Sequence, residues 1–257
     1  PKGLLVRYTL HQLRMWDVTS SNGVDFFVAN SKFVGQRIKR FYRRDSEIIY
    51  PPVAVSEFTL EMQKDDIYLA VSRLVSYKNM HLIVEAFKGM PEKKLVIIGD
   101  GPEAPRLQNM AAGTSNIELL GQQPFAVLKK YMQKAKAFVF AGKEDFGIVI
   151  VEAQACGTPV IAYGCGGALE TVKALGRSDK PTGLFFDRPE ADEIASAVRT
   201  FEKNIDQFSP VHCRENALRF SVEQFRANFS AFVCRCLQER DMSIPDTIAP
   251  TRESVLQ

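Results

Sequence analysis

The stretch 67–98, IYLAVSRLVSYKNMHLIVEAFKGMPEKKLVII, decides the fold of this chain. It opens with a short apolar run, Ile67–Val71, continues through a segment of helical period, Asn79–Met90, and closes with a second apolar run, Leu95–Ile98. Two buried strands separated by a helix predict a βαβ unit with parallel strands, because parallel strands need a crossover that packs on the sheet.

The same alternation continues along the chain. Four further apolar runs are candidate strands: Ile117–Leu120, Ala137–Phe140, Pro159–Ala162 and Gly183–Phe186. Helical patterns fill the intervals: Glu103–Ala112, Pro124–Lys134, Gly147–Cys156 and Ala168–Leu175. The sequence therefore predicts an α/β fold, a doubly wound and mostly parallel sheet with helices on both faces. Two more helices are predicted after the last strand, over Glu190–Lys203 and Val211–Leu237.

The beginning of the chain has a different pattern. It contains one predicted helix, a single short strand Phe26–Ala29, a helix that Asn30 or Ser31 caps and that ends near Tyr42, and the rigid Pro51–Pro52 link. These elements are too few to bury a core of their own. We therefore expect them to be the end of another α/β domain whose earlier part this chain lacks.

Composition excludes several classes of protein. The 257 residues include 33 Lys+Arg and 30 Asp+Glu, so the chain is neither a highly basic nucleic-acid binder nor an acidic disordered segment. Its apolar runs are far shorter than the roughly 20 residues that cross a bilayer, and no signal peptide opens it, so we expect a cytoplasmic protein. The five cysteines lack Cys-x-x-Cys spacing and are expected to be reduced packing residues; a catalytic thiol at Cys156 or Cys165 is the alternative.

Ligands of doubly wound sheets bind outside the carboxyl ends of the strands. The residues that follow the predicted strands are Arg73, Gly99–Gly101, Gly121, Gly142–Phe146 and Tyr163–Gly167.

Two carboxylates, Glu144 and Glu152, flank a predicted helix start at Gly147. Eight helical residues would separate them by roughly 12 Å. Glycosidase pairs lie about 5 to 9.5 Å apart, so this pair is better suited to the two ends of an elongated ligand with vicinal hydroxyls. The amides at the helix start could also bind an anion. The alternative is a helix-start acid and a solvated surface residue.

Two cations follow the first strand of the predicted sheet. Arg73 offers a planar fork and Lys78 a point charge, which together suit a diphosphate that gains negative charge as it leaves. The alternative is that both are surface residues paired with nearby acids.

The run Gly99-Asp100-Gly101-Pro102-Glu103-Ala104 fits G-x-G-x-x-A after a strand, with Glu118 near the position of a ribose-binding acid. Dinucleotide binding is therefore an alternative, although Pro102 and Pro105 remove backbone donors that a pyrophosphate would need. We expect instead that these glycines let the backbone pass close to a ligand sugar.

A second glycine-rich run, Gly164-Cys165-Gly166-Gly167, follows the strand that ends at Ala162. Its glycines would leave backbone N–H groups available at the next helix start, and a flexible turn is the alternative.

Taken together, the motifs resemble the family 4 (group 1) retaining glycosyltransferases of GT-B fold over nearly the whole chain. The segments that carry the resemblance are Ala29–Val34, Ile49–Val53, Ser72–Leu74 with Lys78, Gly99–Pro102, Glu144–Gly147 through Glu152–Ala153, and Gly166–Gly167 with Glu170. The start Leu13–Asp17, together with Glu144–Gly147, resembles the mannosyltransferase-like branch of O-antigen and exopolysaccharide synthesis.

The resemblance implies a role for each motif. Arg73 and Lys78 would bind the donor diphosphate, Glu144 the donor-sugar hydroxyls, and Glu152 the nucleotide ribose. Arg73, Lys78 and Glu144 would form the catalytic set. The donor-binding residues would be Gly99, Gly101, Asp145, Phe146, Gly147, Ile148, Glu152, Gly166 and Gly167.

The same resemblance implies a reaction. A hexose, with mannose from GDP-mannose as the leading case, would pass with retention from a nucleotide diphosphate sugar to a saccharide or lipid-linked acceptor in polysaccharide or lipopolysaccharide synthesis. No cofactor and no obligatory metal are implied. The alternatives are a nucleotide-sugar epimerase or phosphorylase of the same fold, and a non-catalytic nucleotide-sugar-binding module.

It also implies a domain division. Residues 1–52 would end the N-terminal GT-B domain, 53–204 would form the Rossmann-like nucleotide-sugar domain, 205–238 a C-terminal crossover helix and 239–257 a disordered tail. Because the acceptor-binding domain is otherwise lacking, we expect this chain alone to bind donor nucleotide weakly without transferring sugar.

A basic segment, Lys32–Arg44, lies in the first part of the chain. It carries six cations and no acid: Lys32, Arg37, Lys39, Arg40, Arg43 and Arg44. Contact with anionic lipid would place the protein peripherally at the inner face of the cell membrane. A solvated surface, or contact with the missing domain, is the alternative.

Overall fold

The structure, a computed structural model, describes residues 2–240. The chain forms two compact units, one comprising residues 51–226 and the other the residues up to Tyr50 together with those from Ala227 on. The part of the expected disordered tail 239–257 that begins at Asp241 lies outside the described residues.

The smaller unit begins with four elements: α1 (Lys2–Ser21), β1 (Val28–Ala29), α2 (Lys32–Tyr42) and β2 (Glu47–Ile48). The Ser31 hydroxyl accepts a 3.1 Å hydrogen bond from the amide of Val34, which confirms Ser31 as the cap of α2. The predicted strand Phe26–Ala29 shortens to β1, which pairs in parallel with β2. The prediction of a single strand was wrong because β2 is too short to leave a periodic pattern.

The larger unit is built on a six-stranded sheet. Its strands are β3 (Ile67–Val71), β4 (Lys94–Ile98), β5 (Ile117–Leu119), β6 (Ala137–Phe140), β7 (Val160–Tyr163) and β8 (Gly183–Phe186). All neighbouring pairs run parallel, in the order β5-β4-β3-β6-β7-β8. The doubly wound α/β fold is thereby confirmed. The order reverses direction between β3 and β6, which is where ligands bind in such sheets.

Helices connect and follow these strands. They are α3 (Met80–Lys88), α4 (Ala104–Ala111), α5 (Phe125–Lys134), α6 (Ile148–Ala155), α7 (Ala168–Thr171), α8 (Ala191–Lys203), α9 (Pro210–Leu218) and α10 (Val222–Glu239). Helix α10 begins in the larger unit and ends in the smaller one.

Two helix predictions were wrong. The predicted helix Ala168–Leu175 ends at Thr171, because the chain turns extended at Val172 and Ala174 then forms a bridge to Gly183 beside β8. The predicted helix Val211–Leu237 is interrupted between α9 and α10, where the Phe220 carbonyl accepts a 2.9 Å hydrogen bond from the amide of Val53. Long-range pairings of this kind leave no local pattern.

A charged cluster closes the amino-terminal edge of the sheet. The Glu202 carboxylate on α8 accepts hydrogen bonds from Tyr68 (2.8 Å) and Lys136 (3.1 Å) and pairs with Lys93 at 2.5 Å. Burial alone would raise the pKa of Glu202, but the three donors outweigh it and lower the pKa to about 2. This cluster ties α8 to the starts of three strands, at the edge opposite the predicted site.

Candidate active site

Lys78 and Glu144 lie at the carboxyl ends of the two central strands and contact each other. Lys78 ends a short 3₁₀ turn after β3, Glu144 follows β6, and the ammonium pairs with the carboxylate Oε1. Their side chains are only 14% and 24% exposed. Burial lowers the pKa of Lys78 from its ordinary value. Lys78 and Glu144, which sequence analysis assigned to two separate motifs, thus form one ion pair at the point where the strand order reverses.

The turn that carries Lys78 is held to the end of β6. Asn79 adopts a left-handed conformation (φ 55°) and donates a 3.1 Å hydrogen bond from Nδ2 to the carbonyl of Ala141. Gly142 lies against Lys78, where a Cβ would be 3.4 Å from the lysine Cδ. Sequence reasoning missed Asn79. Its signal is that asparagine tolerates positive φ far better than most residues, at a position that must turn the chain sharply.

Arg73 is the second cation of this edge. Its side chain is exposed and makes no hydrogen bond or ion pair with any residue in the range 2–240. The backbone beside it is fixed, since the amide of Leu74 donates a 2.9 Å hydrogen bond to the carbonyl of Asp100. The alternative of pairing with local acids therefore does not apply to Arg73 in this structure.

Gly99 and Gly101 let the loop after β4 pack against the loop after β3. Both have positive φ (142° and 155°), and a Cβ at either would overlap a carbonyl oxygen, that of Ser72 or that of Leu74. The groups that these glycines approach within the protein are backbone atoms of the neighbouring loop, and their approach to a ligand sugar stays a prediction. Their effect is to fix the position of Arg73.

Gly166 and Gly167 act in the same way on the loop after β6. The amide of Gly167 donates a 2.8 Å hydrogen bond to the carbonyl of Glu144, and a Cβ on Gly167 would overlap the backbone of Phe146. Gly166 (φ 64°) forms a bridge with Glu144. The Gly167 amide is therefore occupied, so the expectation of available N–H groups at this helix start does not hold for Gly167. The glycines are needed for close approach of two backbones.

The loop Glu144–Gly147 leads into α6. Phe146 is 3% exposed and its ring meets the ring of Phe220 edge-on at 5.3 Å, so its side chain belongs to the core. Asp145 is exposed, and so is Ile148 at the first position of the helix. Gly147 (φ 89°) caps α6, whose first amides have no earlier carbonyl of the helix to bond. These amides carry the positive end of the helix dipole next to Glu144.

Glu152 lies farther along α6 and is half-buried. Burial raises the pKa of its carboxyl group, and the Glu57 carboxylate raises it further. No side chain or amide among residues 2–240 donates a hydrogen bond to it. A half-buried carboxylate without a donor is not the solvated surface residue of the alternative, and it is stabilised by any ligand that brings hydroxyl donors.

A buried polar network supports these loops from below. Gln154 on α6, Thr171 on α7 and Asn216 on α9 are all fully buried. Asn216 Nδ2 donates to Gln154 Oε1 (2.7 Å) and to the Thr171 carbonyl (2.8 Å), and Gln154 Nε2 donates to the same carbonyl (2.9 Å). Sequence analysis missed the network because polar residues in a helical pattern usually face water.

No cluster of three or more His, Cys, Asp or Glu side chains in the described range could hold a metal ion. None of the helices between residues 2 and 240 has the length and apolar character needed to cross a bilayer.

Comparison with known proteins identifies the larger unit. Residues 55–219, more than half of the chain, match the model of the family described as glycosyl transferases group 1. The chain belongs to this family. The group 1 resemblance drawn from the motifs is thereby confirmed.

Curated group 1 relatives extend the comparison. Over 147 residues the chain is 31% identical to a GDP-mannose-dependent alpha-(1-6)-phosphatidylinositol monomannoside mannosyltransferase of Mycolicibacterium smegmatis. The matched region covers 51% of this chain and 37% of that protein. The chain is 30% identical over 178 residues to an uncharacterised glycosyltransferase of Methanocaldococcus jannaschii, and this match covers 68% of this chain and 48% of that protein. The chain therefore spans less than half the length of these two relatives.

Solved structures show the same architecture. The crystal structure of Anabaena HepE in complex with UDP and glucose matches with a TM-score of 0.74, over 86% of this chain and 66% of that one. The sequence identity is 20%, so the likeness concerns the fold.

Proposed function

We propose that this chain is the donor-binding part of a retaining glycosyltransferase. It would serve the transfer of a hexose from a nucleotide diphosphate sugar to a saccharide or lipid-linked acceptor. The observation that carries the proposal is the arrangement at the reversal point of the sheet, where Lys78, paired with Glu144, and Arg73, which has no side-chain partner among residues 2–240, both follow β3. Group 1 membership supplies the class of reaction.

The two cations suit the leaving group. As the bond between sugar and diphosphate breaks, negative charge accumulates on the diphosphate, and fixed positive charges lower the energy of that state. Arg73 can form a forked hydrogen bond with phosphate oxygens, and the partly desolvated Lys78 supplies a point charge. Because these groups already neutralise the diphosphate, we infer that the reaction has no obligatory metal.

The two carboxylates suit the two ends of the donor. When a diphosphate draws the Lys78 ammonium toward itself, Glu144 is released to accept hydrogen bonds from sugar hydroxyls, beside the amides of Phe146 and Gly147. Glu152 on the same helix would accept hydrogen bonds from the ribose diol, which would provide the donors that residues 2–240 do not. Gly99, Gly101, Gly166 and Gly167 position these groups, and the exposed Asp145 and Ile148 border the site.

We propose mannose as the sugar and GDP-mannose as the donor. The support is the named function of the Mycolicibacterium relative and of a similarly named Corynebacterium glutamicum protein, 31% identical over 140 residues. The Anabaena structure contains UDP and glucose instead, so the nucleotide base must be decided by experiment.

The cytoplasmic location expected from the sequence stays part of the proposal, and contact with the membrane has weaker support. Lys39 on α2 pairs with Asp45 at 2.6 Å. Arg44, which follows the C-cap of α2, donates hydrogen bonds to the carbonyls of Val24 and Asp25. These two of the six cations are bound within the protein.

Calorimetric titration tests the proposal. GDP, UDP, GDP-mannose and UDP-glucose are titrated into the chain without added metal, and into Arg73→Ala and Glu152→Ala. We expect one nucleotide to bind and both substitutions to weaken it about tenfold or more, a loss of about 1.4 kcal/mol or more. Arg199→Ala is the matched control, since Arg199 is an exposed arginine on α8. Absence of binding at millimolar concentration, or equal weakening by the control, contradicts the proposal.

A further inference from the structure

Phe220, in the short link between α9 and α10, connects two parts of the larger unit. Its ring meets the ring of Phe146 at 5.3 Å, with an interplanar angle of 75°. Its carbonyl accepts the hydrogen bond from Val53, and Ser221 forms a bridge with Val53. This residue, 2% exposed, therefore contacts the loop of Glu144 through its ring and the segment that follows the Pro51–Pro52 link through its backbone carbonyl.

This position is also where the chain passes between the two units. The chain enters the larger unit at Pro51 and leaves it after Arg226. Val53 and Phe220 lie within a few residues of these two points, and the hydrogen bond joins the two passing segments. Phe220 is therefore joined through its backbone to the segment by which the chain enters the larger unit.

Phe146 is held from two directions. Phe220 packs on its ring, and Gly167 lies so close to its backbone that a Cβ would overlap it. Phe220 is held in turn by Arg219, whose guanidinium lies 5.0 Å from the ring centre and donates a 2.8 Å hydrogen bond to Asn216 Oδ1. Through Asn216 these contacts reach the buried polar network under the site.

We propose that Phe220 is a positioning residue that couples the Glu144–Gly147 loop to the segments joining the two units. The inference rests on the proposed function, in which Glu144 and the loop amides contact the donor sugar while Arg73 and Lys78 contact the diphosphate. Loss of the ring removes one of the two supports of Phe146 but none of the backbone contacts beside Arg73 and Lys78. Recognition of the sugar then decreases more than recognition of the diphosphate.

The experiment compares Phe220→Ala and Phe220→Leu with the unsubstituted chain. Calorimetry measures the affinity of each variant for GDP, GDP-mannose, UDP and UDP-glucose. The ratio of the affinity for a nucleotide sugar to that for its nucleoside diphosphate gives the contribution of the sugar. We expect Phe220→Ala to reduce that contribution about fivefold or more, close to 1 kcal/mol, and Phe220→Leu to restore part of it. Phe208→Ala is the control, because Phe208 is also buried but packs on Phe201 (4.9 Å).

Amide hydrogen exchange provides a readout that needs no ligand. Exchange over residues 143–147 should accelerate in Phe220→Ala, and also in Phe220→Leu to a smaller degree, but not in Phe208→Ala. If no nucleotide binds the unsubstituted chain, the proposed function fails and exchange alone decides the coupling. Unchanged exchange in Phe220→Leu and Phe220→Ala, or equal weakening of diphosphate and sugar binding, overturns the inference. If Phe220→Ala does not fold, Phe220→Leu carries both measurements.

Discussion

The backbone amide of Gly167 donates a 2.8 Å hydrogen bond to the carbonyl oxygen of Glu144. This bond fixes the loop after β7 against the loop after β6, and it is made by main-chain atoms on both sides. The side chain of Glu144 is then available to pair with Lys78 from the loop after β3. Three loops of one sheet edge are thus joined around a single residue.

A methyl group at position 167 should disrupt this arrangement. In Gly167→Ala the new Cβ would overlap the backbone of Phe146, so the Glu144 loop must move. We expect a loss of about 1–3 kcal/mol in the free energy of unfolding, together with loss of nucleotide-sugar binding. Urea denaturation and calorimetry measure the two effects.

Gly113→Ala is the control for that substitution. Gly113 has positive φ (80°) with no atom within 4 Å of a built Cβ, so only backbone strain of about 1 kcal/mol is expected, and nucleotide binding should not change. Equal loss of binding in both variants would show that general destabilisation, not loop displacement, removes the site.

The Lys78–Glu144 pair predicts opposite effects of two substitutions. Glu144→Gln removes the charge that competes for the Lys78 ammonium, so nucleoside diphosphate binding should be kept or strengthened while the contribution of the sugar is lost. Lys78→Met should weaken the diphosphate itself about tenfold, near 1.4 kcal/mol. The double variant should be non-additive because the residues are in contact. Calorimetry with GDP and GDP-mannose checks this, and equal weakening of GDP by both substitutions would contradict it.

The cysteines report on the site by their reactivity. Burial raises the pKa of Cys156 to about 11 and that of Cys213 to about 12, so both should resist iodoacetamide at pH 8 until the protein unfolds. Cys165 is half-exposed in the loop after β7 and should react in the folded chain. Bound nucleotide sugar should slow that reaction and leave Cys236, at the end of α10, unaffected. Peptide mass spectrometry measures each thiol, and equal protection of Cys165 and Cys236 would place the nucleotide elsewhere.

Acid stability should depend on Glu202. The folded pKa of Glu202, about 2, is below its ordinary value of 4.5, so between these pH values the unfolded chain binds the proton and the folded chain does not. The contribution of Glu202 to the free energy of unfolding is therefore fully present above about pH 4.5 and is lost as the pH falls toward 2. We expect a contribution of about 3 kcal/mol, which Glu202→Gln removes along with that part of the acid dependence. Denaturant unfolding between pH 7 and 3 measures it. Glu215→Gln, at an exposed pair with Lys180, should keep the dependence of the unsubstituted chain.

The larger sheet could be predicted from the sequence because strands buried on both faces are continuous apolar runs. The elements that sequence analysis missed are short ones maintained by distant partners, such as β2 and the break between α9 and α10 at Phe220. No local pattern encodes a hydrogen bond from Val53 to Phe220.

The site was predictable to the level of the sheet edge. Residues after parallel strands must collect at one edge, so Arg73, Lys78 and Glu144 were expected together. Their pairing depends on β3 lying next to β6, which only the strand order shows. Gly99 and Gly167 signal close approach in the sequence, but not what is approached, which here is another loop. Glu57 and Asn216 gave no signal, because their roles arise from packing.

The glycine contacts between loops have a consequence for how this site can evolve. Gly99 against Ser72, and Gly166 and Gly167 against Glu144 and Phe146, set the shape of the site through main-chain atoms alone. A side chain in these loops that takes no part in the main-chain contacts, such as Cys165, can therefore be substituted without changing the path of the backbone. Under the proposed function, substitutions of side chains around this frame would change the preference for the sugar, while the main-chain contacts that position Arg73 and Glu144 would be kept.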